Sequence, residues 1–383
     1  MFATGRWRYV AAGVLVVALA IVAAQAGIHL KKVWVVKVLK LPDGWEGGVA
    51  NDVSDSGLIG GGFRNEGDRW AVPAFWKKGK PYEVIEAIGV PDGYEDAFGI
   101  VMSINNSQLA GATWNSPFDQ VAMKWDVCKK TFLNLHPGDD YIASGAWGIN
   151  ARGDVCGFLI EPVVGGIARV PYVWRHCGKE TELTRGDFAQ GWTSGINSWG
   201  MVSGWAFDDF SEVHAVFWGW KGKMTDLHDE IEEALKDELN GGSLDQTIAY
   251  DVHENGMVVG QAYVAANYLT WPWSWTKKRG VKILDTGKVE GGVAWKAVGA
   301  GIAGSVGPLA EQDAAVWVKG RLDVIPDVKG YDFSEGSSLN RRGMVVGYAA
   351  EDELVDPAVP WVAWKKVVPK KKHFGKKKCG KKK

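Results

Sequence analysis

Cysteine, proline and long apolar runs are all scarce in this chain. Its 383 residues include 4 Cys and 14 Pro. Four cysteines in a chain of this length cannot form the disulfide framework that holds small secreted domains together. There is no CxxC pair, no HExxH and no EF-hand loop, which excludes the common zinc-finger, zincin and calcium-sensor chemistries. Only one long apolar run exists, Val10 to Ala24. At 15 residues it falls short of the ~20 that cross a bilayer as a helix. Net charge is also nearly absent, at −1.

That balance hides an asymmetry. The last fourteen residues hold nine lysines and no acid. With these and Arg6 and Arg8 set aside, 33 basic residues face 45 acidic ones. An acidic body does not suit nucleic acid, because phosphate contacts need positive surface. Arg6 and Arg8, the apolar run and Ala24-Gln25-Ala26 follow one another in the order of a secretory signal. Residues 1–26 are therefore expected to be a signal peptide, with an uncleaved anchor as the alternative. Either way the body is exported: secreted, periplasmic or held at the cell surface.

Glycine and tryptophan are abundant instead, with 50 Gly and 21 Trp. Both recur with a period of about 48 residues. One landmark is Gly61, Gly111, Gly157, Gly204, Gly260, Gly304 and Gly347. The other is Trp76, Trp125, Trp174, Trp218, Trp275, Trp317 and Trp364. A period of 20–50 residues signals a solenoid, a propeller or an array. Within each unit, short alternating segments separated by Asn and Gly turns predict a four-stranded antiparallel meander. The fold class is accordingly all-β, a seven-bladed β-propeller over residues 27–368. The seventh unit lacks a fourth strand, and Val33 to Leu39 has no partner in its own unit. The N-terminal strand is expected to complete the last blade, hiding two edges that invite aggregation. An open solenoid is the competing architecture. Asp229 to Leu239 carries apolar residues at helical spacing and predicts one inserted helix.

The phrase Ile196-Asn197, Gly200, Val202 and Gly204, then His214-Ala215-Val216-Phe217-Trp218, then Met224-Thr225-Asp226-Leu227, resembles the HAF-type extracellular repeat. The resemblance is fullest in this fourth copy and partial elsewhere, and the copies together span about residues 49 to 365. It implies export and a propeller-like fold, with a biochemical role that is generally undetermined in the family. It brings no catalytic residues.

Candidate site residues come from position in the repeat. Each loop before a first strand carries an acid: Glu46, Asp96, Asp140, Asp187, Asp245, Glu290 and Asp332. In a propeller these loops share one face, where seven carboxylates would focus negative potential and hold a basic ligand or a calcium ion. Chance placement of acids in loops is the competing explanation. No other cofactor and no resident metal site is expected. Tyr268 and Trp271 are candidates for stacking on a sugar or peptide, against packing on the neighbouring blade. Cys156 and Cys177 fall near one another if their strands pair, giving a candidate disulfide, with two free thiols as the alternative. Gly299 to Gly304 fits GxGxxG and Ser305 lies in a near-miss nucleophile elbow, but neither has the strand–turn–helix context that chemistry needs. His136, His228 and His253 read as turn or closing-strand residues.

The lysine-rich tail, residues 369–383, is expected to be disordered. Its partners would be an anionic membrane surface or a cell-surface polymer, with an inert terminus as the alternative. The sequence points to an exported binding or scaffolding module for a glycan, polymer or protein. The rival is an extracellular hydrolase or lyase acting on polysaccharide through channel-mouth carboxylates.

Overall fold

The computed structural model describes residues 30–65, 71–94, 98–116, 119–208, 212–239, 243–265, 268–299, 301–308, 311–351 and 358–369. The signal segment, Asp96 and residues 370–383 of the lysine-rich tail, Cys379 among them, lie outside them, while Pro369 ends the last strand. The described residues divide into a large unit, Val36–Ala363, and a small one made from the segments on either side of it.

Among the described residues the chain is all-β apart from two helices, α1 (Val84–Ala87) and α2 (His228–Leu235). Five of their hydrogen-bonded sheets have four strands and one has eight. The eight-stranded sheet is two antiparallel meanders, those of the fourth and fifth repeats, joined by one parallel bridge between Val213 and Gln246. The sheet of the last repeat has a different origin. Leu30–Val38 lies at its edge, beside Val359–Pro369, followed by Val345–Ala350 and Phe333–Leu339. Leu39 is buried there, and its N–H donates to the Pro360 carbonyl at 2.8 Å.

The first strands of the repeats are Gly47–Val53, Phe98–Ile104, Ala143–Ile149, Gln190–Ile196, Gln246–Val252, Gly292–Val298 and Phe333–Leu339. Each contains a β-bulge at the same level, where one residue, or in the last repeat the pair Gly336-Ser337, has no partner of its own on the second strand. The repeating glycine lies across from that bulge. A Cβ on Gly61, Gly157 or Gly204 would stand 1.9, 1.8 or 1.9 Å from the carbonyl oxygen of Val49, Gly145 or Trp192. The other four repeat glycines meet the matching carbonyl at 1.7 to 2.0 Å. Only glycine fits, which is why this position kept the period.

The tryptophans fill the space between sheets. Trp76, Trp125, Trp218 and Trp317 are essentially fully buried. Their indole N–H groups donate to the carbonyls of Lys40, Gly89, Thr184 and Asp285 at 2.8, 3.1, 2.7 and 2.6 Å. Each indole therefore both packs and ties its sheet to the segment that precedes its repeat's first strand. In the last repeat the fully buried indole is Trp361, opposite Gly347, rather than Trp364, which is half-buried. Ala363 occupies the register position that Trp holds elsewhere.

The turn asparagine is the third repeated device. Asn150 Oδ1 accepts from Arg152 N and Asp154 N, which closes its turn. Its Nδ2 donates to the Asn197 carbonyl of the next repeat at 2.9 Å. Asn105 reaches Asn150, Asn197 reaches His253, and Asn340 reaches Ser54 in the same way. One amide supplies the acceptors and donors for both jobs. Where the fifth repeat has His253 instead, its Nε2 accepts from Gly299 N at 3.0 Å, again reaching the next repeat.

The predicted helix is shorter than Asp229 to Leu239, but Ile231, Leu235 and Leu239 are buried as expected. Cys156 and Cys177 are both free. The register sets Cys156 opposite Val173 and leaves Cys177 in the turn beyond Trp174, so the disulfide reading is corrected. Gly301–Val306 is a strand paired antiparallel with Gly292–Val298, so GxGxxG here marks a strand turn.

Candidate functional site

The bulges lift one side chain from each first strand. The seven are Asn51, Met102, Trp147, Ser194, Tyr250, Trp295 and Ser337. All seven line a single cavity of about 450 Å³. That lies within the range of small-molecule sites, about 300–1,000 Å³.

One arc of the wall is aromatic. Tyr250 packs on Trp295 with ring centroids 4.1 Å apart, Trp205 meets Tyr250 edge-on at 6.4 Å, and Trp147 meets Trp205 edge-on at 6.2 Å. Trp192 stacks on Trp205 at 5.3 Å and extends the aromatic surface into an adjoining cavity of about 250 Å³. The indole N–H of Trp295 is buried without an acceptor. The opposite arc is polar, with Asn51, Ser337 and Glu335. Asn51 Nδ2 donates to the Val101 carbonyl at 2.9 Å, and Glu335 Oε2 accepts from Tyr348 OH at 3.2 Å. Burial, with Glu335 nearby, pushes the Tyr250 phenol well above its ordinary value, so it stays protonated and able to donate.

The residues that follow the bulges form the floor. Lys296 Nζ lies 3.5 Å from Asp251 Oδ1 and 3.7 Å from Asp52 Oδ2. Both carboxylates are buried, while a quarter of the Lys296 side chain is exposed. Asp52 collects Val53 N, Ser103 Oγ, Ile104 N and, from the last repeat, Ser338 Oγ at 2.5 Å. Asp251 accepts one backbone N–H, from Ala297. Two buried carboxylates share one ammonium, so one negative charge is in excess. Burial disfavours the charged form of Asp251 and raises its value, Asp52 adds to that, and Lys296 offsets only part. Lys296 itself is held charged, because the two carboxylates outweigh its burial. Below this waist, Asn105, Asn150, Asn197, His253 and Asn340 surround a smaller polar cavity of about 160 Å³.

The predicted acids lie elsewhere. Glu46, Asp140, Asp187, Glu290 and Asp332 are exposed, Asp245 is half-buried, and none of the six lines these cavities. Asp245 Oδ2 accepts from Ala265 N at 2.6 Å, which is a loop-closing role. Among the described residues no group of three His, Cys, Asp or Glu side chains could hold a metal ion. Tyr268 is 74% exposed at the tip of a hairpin, with a φ of 57°. Trp271 packs against the cluster that includes Trp273 and Leu235. The sequence reading therefore missed the bulge residues. Their only trace was the position three residues before the turn residue, as with Asn105, Asn150, Asn197, His253 and Asn340, and that position carries no shared residue type.

No protein-family model and no curated protein matches the chain. Three solved structures resemble it in fold. A prolyl endopeptidase aligns with TM-score 0.55 and 10% identity over 85% of this chain and 50% of its own. A puromycin-hydrolyzing peptidase of Mycobacterium tuberculosis aligns at 0.50 and 13%, over 82% and 53%. The β-propeller domain of the trilobed protease from Pyrococcus furiosus aligns at 0.48 and 10%, over 85% and 98%. The chain spans about half the length of the two peptidases. These are likenesses of fold alone, to a chain whose own sheets are four-stranded antiparallel meanders. No helix among the described residues is long and apolar enough to cross a membrane.

Proposed function

We propose that the chain is an exported seven-bladed β-propeller, closed by its N-terminal strand, that binds a saccharide-type ligand in the cavity at its axis. The observation that carries this reading is the convergence of all seven bulge residues on one cavity. The Ser338–Asp52 and Asn340–Ser54 hydrogen bonds between last and first repeats support closure. A sugar ring presents an apolar C–H face and a rim of hydroxyls. Trp147, Tyr250 and Trp295 suit the face, and Asn51, Ser337 and Glu335 suit the rim.

The rival hydrolase or lyase needs two carboxylates free to act as acid and base across a substrate. Asp52 and Asp251 instead converge on Lys296, which closes the waist between the two cavities. That arrangement favours holding a ligand over cleaving one. A cell-surface glycan or polymer is the partner this reading implies.

The test is a glycan array with the mature chain, followed by titration of any hit by tryptophan fluorescence. Trp295→Ala and Tyr250→Ala are expected to lose binding at least tenfold with little change in melting temperature. An empty array, or a hit that both variants bind as wild type, would overturn the reading. Export is tested separately, by cell fractionation and N-terminal sequencing, with Gly27 expected as the first residue.

A further inference from the structure

Between the second and third repeats lies a cavity of about 270 Å³ in which the tryptophan device is broken. Trp174 occupies the position of Trp125 and Trp218 and is 4% exposed. Those two indoles give their N–H to a backbone carbonyl. The Trp174 N–H is buried with no acceptor, and Trp174 lines the cavity. A buried donor left unmade is costly, and its persistence points to a group that completes it on binding.

The other donors around this cavity are mostly cationic. Lys124 Nζ gives one hydrogen bond to the Gly153 carbonyl at 3.3 Å, and an ammonium carries three donors. Arg175 Nη1 sits 3.7 Å from Asp154 Oδ2, an ion pair too long to use up the guanidinium's donors. His176 is oriented by Asp154, which accepts from its backbone N and lies 2.7 Å from its Nδ1. His136 completes the lining, its Nδ1 3.0 Å from Ser144 Oγ. The one acid of the lining, Glu180, is exposed and accepts from Tyr172 OH at 2.9 Å. Burial presses the Lys124 value down, with Asp154 and Asp126 opposing it.

We infer that this cavity is a site for a small oxyanion group, held by the Trp174 indole N–H, the Lys124 ammonium and the Arg175 guanidinium. A neutral polyol would satisfy the indole but bring no counter-charge to the lysine. A phosphate, sulfate or carboxylate group supplies acceptors to all three donors and a negative charge beside the Lys124 ammonium. The site is independent of the axial cavity, and it would add recognition of an acidic substituent to a protein that binds elsewhere as well.

The experiment titrates the intact chain with inorganic phosphate, sulfate and glucuronate at matched ionic strength. It follows the Trp174 indole N–H resonance, identified by its loss in Trp174→Phe, together with the melting temperature. At least one anion is expected to move that resonance at millimolar concentration and to raise the melting temperature by a few degrees. Which anion acts tells a phosphoryl or sulfuryl ligand from a uronic acid. Lys124→Met is expected to weaken the response at least tenfold, and Trp174→Phe to weaken the thermal shift. A resonance unmoved by all three anions, or an affinity unchanged in Lys124→Met, overturns the assignment. A failed axial-cavity titration would not bear on it, so the two readings fail separately.

Discussion

Lys296 Nζ stands 3.5 Å from Asp251 Oδ1, and this ion pair joins the floor of the large cavity to the roof of the small one. Removing the ammonium leaves Asp52 and Asp251 buried without it. Breaking a buried pair from one side costs about 3–5 kcal/mol. Lys296→Met is expected to fall in that range in urea unfolding. The triple variant Lys296→Met, Asp52→Asn, Asp251→Asn is expected to recover most of the loss, because no unpaired charge then remains. A single variant as stable as wild type would show that the cluster contributes nothing.

Asp251 also sets a pH dependence. Its folded-state value is raised by burial, so the native state holds the proton more tightly than the unfolded chain. The sign follows from linkage: this contribution to stability is fully present below the ordinary aspartate value near 3.8 and is lost as pH rises through the folded value. Melting temperatures of wild type and Asp251→Asn, measured from pH 3 to 8, are expected to differ by an amount that changes across that window and is flat above it. A constant difference from end to end would remove Asp251 as the titrating group.

Much of the fold was legible in the sequence because its three repeated residues each answer a strict local demand. Gly204 has a carbonyl where its Cβ would be, Trp218 fills the space between sheets, and Asn197 closes a turn and reaches the next repeat. Such demands admit one residue type at the glycine and few at the other two, so they leave a period. The ligand-facing positions admit many. Asn51, Met102, Trp147, Ser194 and Tyr250 share a place in the bulge and nothing else, so no pattern marks them. The acids were misleading for the same reason in reverse. Their loops are open to solvent, where an acid satisfies no particular neighbour. Cys156 and Cys177 show the limit of counting: their strands pair in unbroken register, but Cys156 faces Val173 and Cys177 lies further on, in the turn beyond Trp174.

The glycine demand has a sharp internal control. A Cβ at Gly204 would lie 1.9 Å from the Trp192 carbonyl oxygen, backbone that cannot move without dissolving the bulge. At Gly166 a Cβ meets nothing within 4 Å. Gly204→Ala is expected to cost about 3 kcal/mol or more, the upper range of overpacking. Gly166→Ala is expected to stay within about 0.5 kcal/mol of wild type. Equal costs in chemical denaturation would mean that the bulge does not depend on glycine.

The N-terminal strand carries the last expectation. Leu30–Val38 occupies the edge beside Val359–Pro369, and Leu39 is anchored through its N–H to Pro360. A chain begun at residue 41 would expose the edge of Val359–Pro369, with unpaired backbone groups that recruit other strands. It would also lose the Lys40 carbonyl that accepts the Trp76 indole N–H at 2.8 Å. The truncated chain is therefore expected to melt several degrees lower and to aggregate on heating. A synthetic peptide spanning residues 30–40, added in trans, is expected to restore some of the melting temperature by re-forming the edge. Truncation without effect on melting or solubility would mean that the sheet of the last repeat holds without this strand.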